Sequence, residues 1–564
     1  MSVNGSGISK KSPGSELVVL FHLVPEEVDT GRWTNTIPGS IDGALANLKG
    51  SRPESTIFYY TPDNGIEPRI GKSMNGQEID YRKLLSGATS LFLEAKKTVY
   101  HKIIHPVAHW RNATAKPEEA NKGIEAELRF SLLAAKQLLD DRKANQIIVV
   151  QDFPLILTAW LSSARILNPE INAEFKTLFE KYNLSDEFGD LCKRIAGSKI
   201  PEPVISWFHH TCTPTPQSWS SIGEIDPEYQ KVFGRILSET SLVVQSNRDL
   251  ETLEATVGPP KAGVFRNAHP FGFNLDRRLE LAKAKEQNKY WLEIENEFNI
   301  KPTDTVIGIV TRADDPKNRL HTAFISVLEH LREHPEKAKS TVFLLQTQLT
   351  RSGASYEGLN SSLVVQNGAK QVSEYQDQND LNDAAYIELL REFPDLRVGW
   401  YTDGVGSRGN VVSAVSDVFL ATGSPGGLEV TPVETLHLAN QRSIGGLCSE
   451  SMDSYDRMRG NRDRPVSLVV TRGAGIAEHI EAVGLNGGFV YRDDFTIQLK
   501  EALDNMPTSF TVDQLPGFKN LLDRLDGPNW FTACLEAPFG VSDAIKALHT
   551  SDARPVIAIG GLPH

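Results

Sequence analysis

Cysteine is scarce in this chain: four occur in 564 residues, at positions 192, 212, 448 and 534. No two form a Cys-x-x-Cys pair, so neither a zinc site nor a disulfide framework is indicated. No stretch approaches about 20 uninterrupted apolar residues, which argues against a membrane-spanning helix. Basic charge is in the minority, with 59 Lys and Arg against 72 Asp and Glu and a net charge of −13. Without a concentrated basic field the chain is a poor ligand for nucleic acid. The opening residues, MSVNGSGISKKSPGSE, lack the apolar centre of a secretion signal, and the expectation is a cytoplasmic protein. A phosphate-binding Walker A motif and a nucleophile elbow are also missing. What is present is an ordinary globular balance, 40% apolar and 23% charged, over a length that suits two to four domains.

Short β-branched runs alternate with longer helical patterns from end to end. The runs are Leu17–Leu23, Ile147–Gln151, Val204–Phe208 and Leu242–Gln245, then Val306–Val310, Val342–Gln346, Leu363–Gln366, Asp417–Ala421 and Leu468–Thr471. Continuous apolar runs of this kind read as parallel strands buried on both faces. Between them, Glu125–Leu139 sets Leu128, Leu132 and Leu139 along one helical face, and His321–Leu331 does the same with Phe324, Val327, Leu328 and Leu331. Pro and Gly interrupt both periodicities at Val257–Asn274. The fold class expected is therefore α/β, with two doubly wound Rossmann-like domains: residues 1–262, completed by a C-terminal segment at 525–564, and residues 263–524. Ligands of such sheets bind outside the carboxyl ends of the strands, so the cleft between the two sheets is the expected site.

Four strand ends carry candidate chemistry. After the strand ending in Val310 come Arg312 and Lys317, a planar fork and a point charge suited to phosphate oxygens. A solvated loop pairing with Asp314 and Asp315 is the plainer alternative. After Asp417–Ala421, Gly423, Gly426 and Gly427 free the backbone for close approach to a ligand, and Leu428 follows. A helix is then expected to open with Thr431 as N-cap and Pro432 at its first position, its free amides suiting an anion. On spacing alone Glu434 reads better as the distal member of a capping box, reaching back to the N-cap amide. After Val204–Phe208 come His209 and His210, one of which can face the cleft as a hydrogen-bonding or proton-transfer group; a structural role is an even alternative. Adjacent side chains in an extended chain point opposite ways, and no metal site is expected there. Asp152, directly after the second run, is either a cleft carboxylate or a loop cap. Gly404–Gly409 matches Gly-x-Gly-x-x-Gly, but too little chain separates it from the next strand for a dinucleotide fingerprint.

Taken in order, these segments resemble the trehalose-6-phosphate synthase family of retaining, two-Rossmann (GT-B) glycosyltransferases. The resemblance spans roughly residues 16–537. Tyr100–Trp110 resembles the family's segment around Trp-Pro-x-x-His-Tyr, Val150–Phe153 its His-Asp-Tyr-His strand end, and Phe208–Pro216 its Phe-x-His-Ile-Pro-Phe-Pro-Thr-Pro. His269–Phe273 resembles its linker, Thr311–Asn318 its Asp-Arg-Leu-Asp-Tyr-x-Lys-Gly, Val469–Glu478 its Leu-Ser-x-Phe-Ala-Gly-Ala-Ala-x-Glu, and Asn529–Ala537 its last, crossover helix. The resemblance implies that Arg312 and Lys317 hold the donor diphosphate and that Glu434 binds the ribose. It further implies that His210 and Asp152 serve the donor sugar, and that Gly43, Tyr100 and Arg351 belong to the acceptor side. The implied partners are a nucleoside-diphosphate sugar and a small polar acceptor, with no cofactor, no metal, no nucleic acid and no membrane; a homo-oligomer is left open.

The departures are specific. Gly426 stands where the family has an acid that contacts the donor sugar, and His22–Pro25 lacks the Arg that the family uses on the acceptor phosphate. Gly39–Gly43 keeps the nearby glycine-rich loop loosely. The nucleotide half thus matches better than the sugar and acceptor contacts. Two alternatives follow: a pseudo-glycosyltransferase that couples a nucleotide-activated cyclitol to an aminocyclitol phosphate through a C–N bond, and a catalytically silent sensor of nucleotide or sugar phosphate.

Overall fold

A computed structural model describes the chain between Glu16 and Asp504; within that span the longest segments outside the described residues are 34–55, 100–115, 269–287, 349–377 and 436–456. Two parallel sheets dominate, one in each half of the chain.

The first half supplies strands β1 (Glu16–Phe21), β2 (Glu27–Val28), β3 (Arg32–Trp33), β4 (Thr56–Tyr59), β5 (Ile70–Lys72), β6 (Glu78–Lys83), β7 (Gln146–Gln151), β8 (Val204–Trp207), β9 (Ser241–Val244) and β10 (Arg266–Ala268). Eight of them form one sheet in the order β10-β9-β8-β7-β1-β4-β6-β5, while β2 and β3 pair as a small hairpin. All ladders of the large sheet are parallel except β5–β6 at its edge. The helices here are α1 (Thr89–Ala95), α2 (Pro117–Asp141), α3 (Ile156–Leu161), α4 (Pro169–Lys181), α5 (Ser185–Gly197), α6 (Pro216–Ile225), α7 (Pro227–Glu239) and α8 (Asn247–Val257). Their starts follow capping chemistry. Asn168 accepts from the amides of Glu170 and Ile171 ahead of Pro169, and Asp226 accepts from that of Tyr229 ahead of Pro227. A stack of Trp160, Phe175, Phe179 and Phe188 welds α3, α4 and α5, with Phe179 and Phe188 centroids 4.8 Å apart. The indole of Trp160 donates to Thr240 Oγ1 at 2.7 Å, so the largest side chain in this core leaves no buried donor unpaired.

The second half supplies β11 (Thr305–Arg312), β12 (Thr341–Gln348), β13 (Arg397–Tyr401), β14 (Val418–Ala421), β15 (Ser467–Thr471) and β16 (Val490–Arg492), all parallel, in the order β13-β12-β11-β14-β15-β16. Its described helices are α9 (Asn288–Phe298), α10 (Leu320–Glu333), α11 (Gln378–Glu392), α12 (Arg408–Val415) and α13 (Phe495–Asp504). Counting strands within this half gives 3-2-1-4-5-6, the order of the doubly wound dinucleotide fold. Phe324, Val327, Leu328 and Leu331 of α10 are all buried, the face expected from their spacing. Gly308 of β11 lets the end of α12 lie directly on the strand: a Cβ added there would run into Ser416, the residue after α12, and press on Val412 within it.

Of the strands expected from the sequence, only Leu363–Gln366 falls outside the described residues. The first sheet also reaches further than position 262, because Arg266–Ala268 pairs with Leu242–Val244. The segment 525–564 lies outside the described residues.

Candidate functional site

In a doubly wound sheet the chain leaves the first strand in one direction and returns in the other, which opens a crevice at the carboxyl ends of the two strands flanking the reversal. In the second sheet those strands are β11 and β14. β11 ends at Arg312, whose backbone pairs with Gln348 of β12. Gly423, Gly426, Gly427 and Leu428 follow in sequence after β14, the strand paired with β11 on its other side. The order of strands thus sets side by side the carboxyl ends of β11 and β14, the strands after which the two expected nucleotide-binding segments follow in sequence. In the first sheet the reversal lies between β1 and β7. Asp152 is the residue following β7, Gly43 belongs to the connection between β1 and β4, and His210 follows the neighbouring strand β8.

The side chain of Arg312 and the residues Gly43, Tyr100, Asp152, His210, Lys317, Arg351, Gly426, Gly427, Leu428 and Glu434 lie outside the described residues. Thr431 and Pro432 are both helical. Thr431 thus lies inside the helix rather than at the N-cap expected there, and Val430 before it lies outside the described residues. Thr435 is also helical, is buried, and donates to Ser413 Oγ of α12 at 3.0 Å.

The glycine motif at Gly404–Gly409 follows β13, which is an edge strand, rather than the first strand where a dinucleotide fingerprint belongs. Its Arg408 has a different role. The guanidinium lies over the rings of Tyr401 (4.7 Å to the centroid) and Tyr290 (5.1 Å) and pairs with Glu293 at 2.8 Å. Tyr401 donates to Glu297 at 2.9 Å, and burial together with that carboxylate pushes its phenol far above the usual range. Beside it, Trp400 Nε1 donates to Thr347 Oγ1 at 2.8 Å. These groups knit the ends of β12 and β13 to α9 and α12. The sequence showed the glycines but not this cage, because Tyr290 and Glu293 come from a helix more than a hundred residues upstream.

Other perturbed groups sit in the helical layers. Asp226 receives Tyr182 Oη and Lys181 Nζ, and the buried Glu127 accepts from Tyr229 Oη at 2.5 Å. Burial and Asp226 push the Tyr182 phenol up. Arg235 is held by Glu170, Glu174 and Glu239. All of these brace α2, α4 and α7 against one another. Among the described residues no group of three or more His, Cys, Asp or Glu side chains is arranged to hold a metal ion. Nor is any helix there long and apolar enough to cross a membrane.

Among the described residues the two halves meet at Glu478, in the segment after β15, which accepts hydrogen bonds from Asn247 at the start of α8. Because both positions follow the carboxyl ends of their strands, the two sheets turn those ends toward each other.

No family model and no curated protein matches the chain. Solved structures do. An α,α-trehalose-phosphate synthase (UDP-forming) from Burkholderia vietnamiensis superposes with a TM-score of 0.63 at 15% identity, covering 95% of this chain and 98% of that one. A trehalose-6-phosphate structure from E. coli bound with UDP-2-fluoro glucose gives 0.60 at 15%, over 94% and 99%. The Burkholderia xenovorans α,α-trehalose-phosphate synthase (UDP-forming) in complex with glucose-6-phosphate gives 0.58 at 16%, over 95% and 100%. Along nearly its whole length, then, the chain has the two-sheet GT-B fold of the trehalose-6-phosphate synthases.

Proposed function

We propose that the chain is a retaining glycosyltransferase that moves a sugar from a nucleoside-diphosphate donor to a small polar acceptor such as a sugar phosphate. The observation that carries this reading is the second sheet's reversal, where a strand ending in Arg312 lies beside the strand after which Gly423, Gly426 and Gly427 follow in sequence. The fold likeness over the whole chain supports it, since one similar structure binds UDP-2-fluoro glucose and another glucose-6-phosphate.

In this mechanism Arg312, Lys317 and the amides near Gly427 and Leu428 neutralise the charge that builds on the departing diphosphate, the largest electrostatic demand of the transition state. Glu434 holds the ribose. His210 and Asp152 orient the donor sugar. Gly43, Tyr100 and Arg351 hold the acceptor with its hydroxyl beside the anomeric carbon. As the bond from that carbon to the acceptor oxygen forms and the bond to phosphate breaks, the hydroxyl proton passes to the leaving phosphate on the same face, so configuration is retained. Closure of the cleft keeps water from hydrolysing the donor. The chemistry needs no resident cofactor, and the setting is the cytoplasm.

Gly426, in place of an acid on the donor sugar, favours a second reading, the joining of an activated cyclitol to an aminocyclitol through a C–N bond. Product analysis separates the two, because only the second gives a nitrogen-linked product.

The deciding test is calorimetric titration with UDP, GDP, ADP and dTDP. One nucleotide should bind at micromolar concentration, and Arg312→Ala should weaken it by about 10- to 150-fold, the worth of one charge-assisted hydrogen-bonded contact. Failure of all four to bind the wild-type protein would remove the donor site.

A further inference from the structure

The N-terminus of α8 is satisfied from two sources, and one of them is the other half of the protein. Four amides at a helix start have no partner within the helix. At α8, Ser246 supplies the ordinary cap: its hydroxyl accepts from the Asp249 amide at 3.2 Å, and its carbonyl accepts the first bond of the helix itself, from the Leu250 amide at 3.2 Å. Two further amides of the first turn reach Glu478. Asn247 N reaches Glu478 Oε1 at 2.8 Å and Arg248 N reaches Oε2 at 3.4 Å, while the Asn247 side-chain amide adds a bond to Oε1 at 2.5 Å. The carboxylate also sits where the helix dipole favours an anion. It comes from a residue more than two hundred positions away, in the segment that follows β15 of the second sheet.

Position in the fold gives this contact its meaning. α8 begins just beyond the carboxyl end of β9, and Glu478 follows the carboxyl end of β15. Each is on the side of its own sheet where the crevice opens, so the bond spans the mouth rather than the back of the molecule. Both groups are solvent-accessible, and a contact of that kind is strong enough to bias a domain equilibrium yet weak enough to break on each cycle.

We propose that Glu478 is a positioning residue: it clamps the N-terminus of α8 across the cleft and thereby favours the closed arrangement of the two sheets. Its carboxylate touches no reacting atom and acts through α8. As applied to turnover the proposal rests on the glycosyltransferase reading; as applied to shape it does not.

The experiment uses the full-length chain and three variants. Glu478→Ala removes the acceptor, and Glu478→Gln keeps the shape and one acceptor oxygen without the charge. Asn247→Pro removes both donors of residue 247 while suiting the first helical position. It follows an extended Ser246 (φ −145°, ψ 161°) that a proline tolerates, so α8 is kept. Small-angle X-ray scattering without ligand should show a wider pair-distance distribution for Glu478→Ala and Asn247→Pro than for wild type, an intermediate one for Glu478→Gln, and unchanged far-ultraviolet circular dichroism throughout. Raising the salt should move wild type toward the variants, because an exposed charged contact is screened. Scattering from both Glu478→Ala and Asn247→Pro that superimposes on wild type overturns the proposal. Should one variant lose its secondary structure, the other decides by the same comparison. A second arm measures kcat/KM and nucleotide affinity, with kcat/KM expected to fall about 5- to 10-fold and UDP, GDP, ADP or dTDP affinity to hold within about 2-fold. If no nucleotide binds the wild-type chain the donor reading fails, and the scattering arm still decides the clamp.

Discussion

At the scale of single residues, His330 is the clearest physical outlier. It lies on α10 with 1% of its surface exposed, and neither ring nitrogen meets a hydrogen-bond partner among the described residues. Its ring is 5.1 Å from that of His334. Burial disfavours the charged form first, and Lys337 and His334 add repulsion that Asp504 and Glu333 only partly offset, so its pKa falls from 6.5 to about 4. Between those values the unfolded chain takes up a proton that the folded chain refuses. The share of stability that His330 contributes is therefore fully present above pH 6.5 and is lost as the pH falls toward 4, about 3 kcal/mol from this group. Urea unfolding across that interval should show the decline, and His330→Leu should flatten it. An unchanged slope in the variant would assign the acid sensitivity to other groups.

At the scale of elements, the contact between α12 and β11 has no spare room. A Cβ at position 308 would lie 1.9 Å from Ser416 Oγ and 3.1 Å from Ser416 Cβ, and the Ser416 hydroxyl is already committed to the Val412 carbonyl at 2.5 Å. Gly308→Ala should cost about 1–3 kcal/mol in chemical denaturation, and adding Ser416→Gly should recover most of it. The same scale explains what could be read beforehand. β7, β9, β11, β12 and β14 stood out because strands covered on both faces are written as unbroken apolar runs. The edge strands β5, β10 and β16 have only three residues each, too few to show such a run, and β6, between β4 and β5, reads EIDYRK, where apolar Ile79 and Tyr81 alternate with charged residues. Arg312 at the end of β11 was legible because strand and cation are adjacent in sequence. The Arg408 cage and the Glu478–Asn247 bond were not, because each joins segments that only the folded chain brings together.

For the whole molecule, the two sheets carry separate cores. One cluster runs from Ala95 to Leu253 and the other from Ile307 to Ala502, with no residue in common. Cooperative all-or-none unfolding is not expected of such a chain. Scanning calorimetry should resolve two transitions. A nucleotide at 100 times its Kd should stabilise only the one belonging to residues after 305, by about 2.7 kcal/mol. A shift of the other transition alone would move the donor site to the first sheet.

The pairing of β10 with β9 also fixes where the chain can be divided. β9 is buried along its whole length, and β10 is the strip that covers its outer edge. A fragment cut at the Pro-Gly break near residue 260 would keep β9 and discard β10, leaving a row of unpaired amides and carbonyls beside Leu242 and Val243. Such an edge recruits strands from other molecules. The smallest first lobe that can stay soluble by itself therefore has to carry the chain past Ala268, into what its sequence marks as the linker.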